Sequence, residues 1–164
     1  MTEEERTGEA VAAIDARQRR QLAVDLFNHV WTLLEKQDRS AEDEDAMVHA
    51  AHASRHHWGE VGEPVNLARG EWQISRVYSV LARGEPALYH ARRCLELCEA
   101  NGIGDFDLAY AYEAMSRAYH VAHVHEASRQ YADMAREAGD AIAEEDDRAL
   151  FRSDIADLPG ASTP

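Results

Sequence analysis

The residues best placed to do chemistry are three histidines. His49, His52 and His56 fall at i, i+3 and i+7 in Met47-Val48-His49-Ala50-Ala51-His52-Ala53-Ser54-Arg55-His56-His57-Trp58. On a helix this spacing lines one stripe. Imidazole nitrogens ligate zinc, nickel, iron or copper, so the stripe is a candidate metal-binding set, a transition metal such as zinc being the implied ion. One helix commonly supplies two ligands, and His90, His120, His123, His125 or Glu71 is available to complete a shell. The alternative is a set of histidines that pack against neighbouring helices or sit half exposed, since the chain holds nine. A pH-sensitive or catalytic role also stays open, because imidazole titrates near neutrality.

Other chemistry is sparse. Cys94 and Cys98 are four apart on one helical face and read as small buried apolar residues; a disulfide within one helical turn would be strained. There is no Gly-x-Ser-x-Gly elbow, no phosphate-binding Gly-rich loop and no His-Glu-x-x-His pair. With 31 acidic residues, no carboxylate stands out as a general acid. The reading is therefore of a non-enzymatic protein with no cofactor expected, the metal stripe being the alternative.

The elements that must position these residues repeat. Ile74-Ser75-Arg76-Val77-Tyr78-Ser79-Val80 matches Met115-Ser116-Arg117-Ala118-Tyr119-His120-Val121 in Ser, Arg, Tyr and Val, 41 residues on. A turn follows each copy, then a second apolar stripe: Ala87, Ala91, Cys94, Leu95 and Cys98 in one, Ala127, Tyr131, Met134, Ala135 and Ala138 in the other. Both step by three and four, as one face of a helix does. Gly62-Glu63-Pro64 and Gly84-Glu85-Pro86 place Gly at a helix end and Pro in the first turn of the next.

These copies resemble the tetratricopeptide repeat family, whose first helix carries a large residue, Leu, a small residue and Tyr. Tyr112-x2-Met115-Ser116-x2-Tyr119 fits that frame, and Ile74-Ser75-x2-Tyr78 fits all but its first position. Ala87, nine residues after Tyr78, takes the family's alanine position; the second copy has Ala127 only eight after Tyr119 and so reads as one residue short in its turn. The resemblance covers the middle half of the chain. It implies an all-α fold of antiparallel helix pairs stacked as a short right-handed solenoid. It also implies that the first helix of each pair lines a concave groove, which would place Arg69, Trp72, Arg76 and Ser79, then Tyr110, Glu113, Arg117 and His120, on that surface.

The rest of the chain fits about seven helices. Residues 1–8 read as a disordered acidic start, 9–158 as one domain and 159–164 as a disordered tail. The first helix is expected to end at Lys36, with Leu22, Leu26, Phe27, Val30, Trp31 and Leu34 as its stripe. Ser40 and Asp43 make a capping signal for the second, about Ala41 to Trp58. The others are expected at about Pro64–Arg83, Pro86–Ala100, Phe106–Ala122 and Glu126–Ala143. The last, about Glu144–Ala156 with Leu150, Phe151, Ile155 and Leu158, would cap the stack.

A net charge of −14 disfavours nonspecific nucleic-acid binding. No apolar run is long enough to span a membrane, and the acidic start lacks the apolar core of a signal peptide, so a cytoplasmic protein is expected. The expected partner is a protein or peptide, or a second copy of the chain in a homodimer. Arg76 and Arg117 with aromatic neighbours would suit an anionic segment; equally, they could pair with local acids and support the fold. On the first reading, Arg76→Ala with Arg117→Ala leaves folding intact and abolishes capture.

Overall fold

A computed structural model describes residues 13–159, and these form seven α-helices with no strand among them. The expected acidic start at 1–8, and the tail beyond Pro159, lie outside the described residues. The helices are α1 (Ala16–Leu34), α2 (Ala41–Val61), α3 (Pro64–Val80), α4 (Gly84–Ala100), α5 (Asp105–Val121), α6 (His125–Asp140) and α7 (Glu145–Asp154). None is long and apolar enough to cross a membrane.

Local sequence sets most boundaries. Reciprocal capping boxes open α1 (Asp15 with Gln18) and α2 (Ser40 with Asp43), and at α3 the Asn66 side chain accepts from the Glu63 N–H, each satisfying backbone donors that the helix cannot. Three helices stop in the same way. Ala82, Gly102 and His123 take left-handed φ values of 55°, 62° and 61°. The next amide then reaches back over the final turn: Arg83 N–H to the Tyr78 carbonyl, Ile103 to Cys98 and Val124 to Tyr119, each at 2.9 Å. This is why α3 stops at Val80 rather than Arg83, and why Gly84 starts α4 instead of ending α3. Gly84 is small for another reason: a Cβ there would lie 2.8–2.9 Å from the backbone of Ala122 in the neighbouring turn.

The 41-residue repeat holds throughout the two central pairs: α3 and α5 start 41 apart, as do α4 and α6, and so do the left-handed residues Ala82 and His123. The second copy is therefore not one residue short; Ser128, not Ala127, matches Ala87. Buried Ser75 donates to the Ala87 carbonyl at 2.8 Å, and buried Ser116 to the Ser128 carbonyl at 2.9 Å. The buried face of α6 is accordingly Ser128, Ala132, Ala135 and Gly139, one step round from the expected stripe, and Met134 is exposed. Sequence periodicity misplaced this face because Ser and Gly, which make the closest contacts, do not register as apolar.

Helices pack as α1–α2, α3–α4 and α5–α6, with α2 against α3, α4 against α5 and α7 against both α5 and α6. Alanine dominates several contacts (Ala68, Ala87, Ala91, Ala111, Ala114, Ala118), which allows close approach, and Cys94 and Cys98 are buried free thiols among them. Larger side chains fill the ends. Val30, Leu33, Met47, Ile74 and Val77 join α1, α2 and α3, while Tyr110, Ile142, Phe151, Ile155 and Leu158 seal α7 onto α5 and α6. In α1 the buried positions are Ala23, Val30 and Leu33, with Leu22 exposed, so that stripe too is rotated from expectation.

Candidate binding trough on the odd-numbered helices

α1, α3, α5 and α7 present a run of aromatic rings to one another. Trp31 lies 5.5 Å from Trp72, Trp72 packs edge-on against Tyr110 at 5.5 Å, and Tyr110 packs edge-on against Phe151 at 4.7 Å. Phe27 and Phe106 flank the run. Beside these rings is a hollow of about 740 Å3, whose floor reaches Ala68 and Cys94 and whose wall on α7 is Asp147, Leu150 and Asp154. Trp31, Trp72, Phe27 and Phe106 stay half-buried and Leu150 is 52% exposed, so apolar surface remains open to a guest.

Of the arginines expected on the groove only Arg69 lines this hollow; Arg76 and Arg117 line a separate one, and Glu113 lines neither. Glu113 is 2% exposed and gathers three donors. Trp72 Nε1 donates to Oε2 at 2.8 Å, Arg117 Nε donates to Oε1, and Arg76 Nη1 stands 3.5 Å from Oε1. The rest of the Arg117 fork holds the end of α7, with Asp157 at 2.9 and 3.1 Å and the Asp154 carbonyl at 2.7 Å. Burial would depress the Arg117 pKa, but Asp157 and Glu113 hold it above its usual value. The hydrogen bond from Arg117 in turn holds Asp157 below the usual carboxylate range. Arg69 forks onto both oxygens of Asp107, at 2.7 and 3.0 Å. Arg76 is the least committed, with burial, then the charge of Arg117, pushing it below its usual value.

The reading in which Arg76 and Arg117 pair with local acids describes both, Arg117 through Glu113 and Asp157 and Arg76 more loosely through Glu113, and Arg69 is paired as well. Arg117 ties α5 to the end of α7, so Arg76→Ala with Arg117→Ala is expected to cost stability as well. Tyr110 donates to Asp154 at 2.5 Å, and burial followed by that carboxylate pushes its phenol up. Arg76, Ser79, Arg117 and exposed His120 line a second, smaller hollow of about 360 Å3, closed by Asp157, Leu158 and Pro159.

The histidine stripe lies elsewhere. His49, His52 and His56 are all exposed. His52 Nε2 is 3.0 Å from the Tyr78 hydroxyl, and its ring lies 5.2 Å from that of His90. His90 Nδ1 is 2.6 Å from Glu71 Oε2, and Arg55 donates to Glu71 Oε1 at 2.9 Å. Among the described residues no group of three or more His, Cys, Asp or Glu side chains is arranged to hold a metal ion. The stripe does not converge because His52 turns towards Tyr78 and His90 while His56 lies against His57. His123 and His125 sit together at the α5–α6 turn with His120, away from it.

Sequence reasoning missed Trp31, Asp147, Leu150 and Asp154 as trough residues. Trp31 and Leu150 were read as core. Asp147, Leu150 and Asp154 do carry a readable signal, the spacing i, i+3, i+7, but a stripe with two acids looks like a solvated face until something is known to pack opposite it.

Fold and trough together define an all-α protein of paired helices with an aromatic hollow on one helical layer. Comparison with known protein families, characterised proteins and solved structures finds no match to this chain.

Proposed function

We propose that this protein is a non-enzymatic helical-repeat module that binds a protein or peptide partner in a groove lined by the odd-numbered helices. The observation that carries this reading is the hollow of about 740 Å3 edged by half-buried Trp31, Trp72, Phe27 and Phe106. Folding ordinarily removes such rings from water, and cavities of roughly 300–1,000 Å3 with apolar walls and a few polar groups are where ligands bind. The repeated helix pairs support it as well, since a stack of this kind presents a long continuous face.

Selection of a random peptide library on the full chain tests this. Leu150→Ser is the matched variant, because Leu150 lines the hollow yet is 52% exposed and contributes little to the core. Peptides are expected to be enriched on the wild type and to lose at least about tenfold in affinity on Leu150→Ser, with unchanged thermal stability. No enrichment, or peptides indifferent to Leu150→Ser, would overturn the proposal.

A further inference from the structure

We infer that the trough selects a cationic side chain, an arginine or lysine of the peptide partner; this rests on the groove-binding reading above and reverses the charge that the arginines suggest in the sequence. Open charge decides which guest fits. Arg69 is bound on both oxygens of Asp107, so that pair presents no net charge to a guest. Arg117 is spent on Glu113, Asp157 and the Asp154 carbonyl. The carboxylates of the α7 wall are freer. Asp147 makes no hydrogen bond or ion pair among the described residues, and Asp154 accepts from Tyr110 through one oxygen only. They stand two helical turns apart on one face with Leu150 between them, and both line the same hollow as Trp31 and Trp72.

Indole faces attract a cation within about 6 Å of the ring centroid, more strongly where water is excluded. A carboxylate at the other end of the same hollow would hold the donors. Arginine suits both, since its planar guanidinium stacks on aromatic rings and forks onto carboxylates. An acidic segment would meet Asp147 and Asp154 as like charges on a protein already carrying a net charge of −14.

The test uses peptides selected by the full chain, resynthesised with each Arg or Lys replaced by Gln. The selected pool is expected to be enriched in Arg and Lys. One of the Gln replacements should weaken binding about tenfold or more, and Asp147→Asn should weaken the parent peptide by several-fold. Asp147→Asn should add little once that cation is gone, the non-additivity expected of a direct pair. Asp146→Asn is the control. It removes the same charge from the same first turn of α7, but Asp146 does not line the hollow, so binding should be unchanged. A pool without basic residues, or equal losses in Asp146→Asn and Asp147→Asn, would overturn the inference. The groove reading would survive either result so long as Leu150→Ser abolished binding, whereas a selection that enriches nothing would remove both.

Discussion

Glu113 ties two helices directly and reaches a third through Arg117. It is a carboxylate buried among a tryptophan N–H and two guanidinium groups, drawing α3 onto α5 and, through Arg117, onto the end of α7. A buried ion pair adds little net stability over an apolar substitute, but removing one partner strands the other's charge. Glu113→Ala should therefore cost about 3–5 kcal/mol, a large part of the roughly 5–15 kcal/mol that holds a domain together. Chemical denaturation measures it. A loss under about 1 kcal/mol would mean that Arg117 and Arg76 find other acids or water at no cost. The same residue shows how far sequence reaches. Glu113 and Arg117 were legible as neighbours one turn apart on a helix, and both were placed on the groove. Nothing in the chain said that Asp157, 40 residues on, would take the other half of the guanidinium.

Among the elements, α7 decides what the trough is. It docks through Phe151, whose ring lies where Gly139 lacks a side chain: a Cβ at Gly139 would sit 2.4 Å from two carbons of that ring. The ring belongs to the buried cluster that seals α7, so neither side has room to move. Gly139→Ala should destabilise by about 1–3 kcal/mol through overpacking, offset in part by the better helix propensity of alanine. Amide exchange in residues 145–158 should quicken more than in α3 or α4. Uniform quickening across all seven helices would show that α7 does not loosen as a separate unit. The sequence marked α7 as an amphipathic cap, and Phe151, with Ile155 and Leu158 just beyond the helix, is buried as expected, whereas Leu150 is exposed. Its other face was not legible, because acids on a helix mean water or a partner according to what stands across from them.

At the scale of the molecule, two groups near α2 and α4 link stability to pH. Partial cover by Tyr78 and His90 desolvates the largely exposed His52 ring enough to favour its neutral form, holding its pKa below the usual imidazole value, with the charge of His90 adding to this. The unfolded chain then binds the proton more readily, so stability rises with pH through that window, which ends near pH 6.5. Glu71 has the ordinary acid sign. Burial alone would raise it, but the hydrogen bond and charge of His90, with Arg55, hold it low. Its contribution is present above the usual carboxylate range and is lost as pH falls through its folded value. Acidification also relieves the self-repulsion of a chain at −14, so a difference between two proteins is the clean readout. The melting temperature of His52→Gln should gain on that of the wild type as pH falls from 7 to 5. A difference that stays flat over that range would show His52 titrating as it does in water.

By itself the sequence determined an all-α fold, the seven helices of the described residues, where most of them start, and that two helix pairs repeat at 41 residues. These properties rest on short-range physics: helical periodicity, capping side chains, and the conformational limits of Gly and Pro, all acting within a few residues. Tertiary structure alone decided which stripe of α1 and α6 is buried, since small residues such as Ala23, Ser128 and Gly139 define those contacts without being strongly apolar. It also decided that the histidines of α2 diverge and that Arg69 and Arg117 are already paired. An exposed carboxylate and a buried guanidinium attract across any separation in sequence, so pairing is set by which surfaces the stacking brings together. That stacking brings Asp147 and the tryptophans to one hollow.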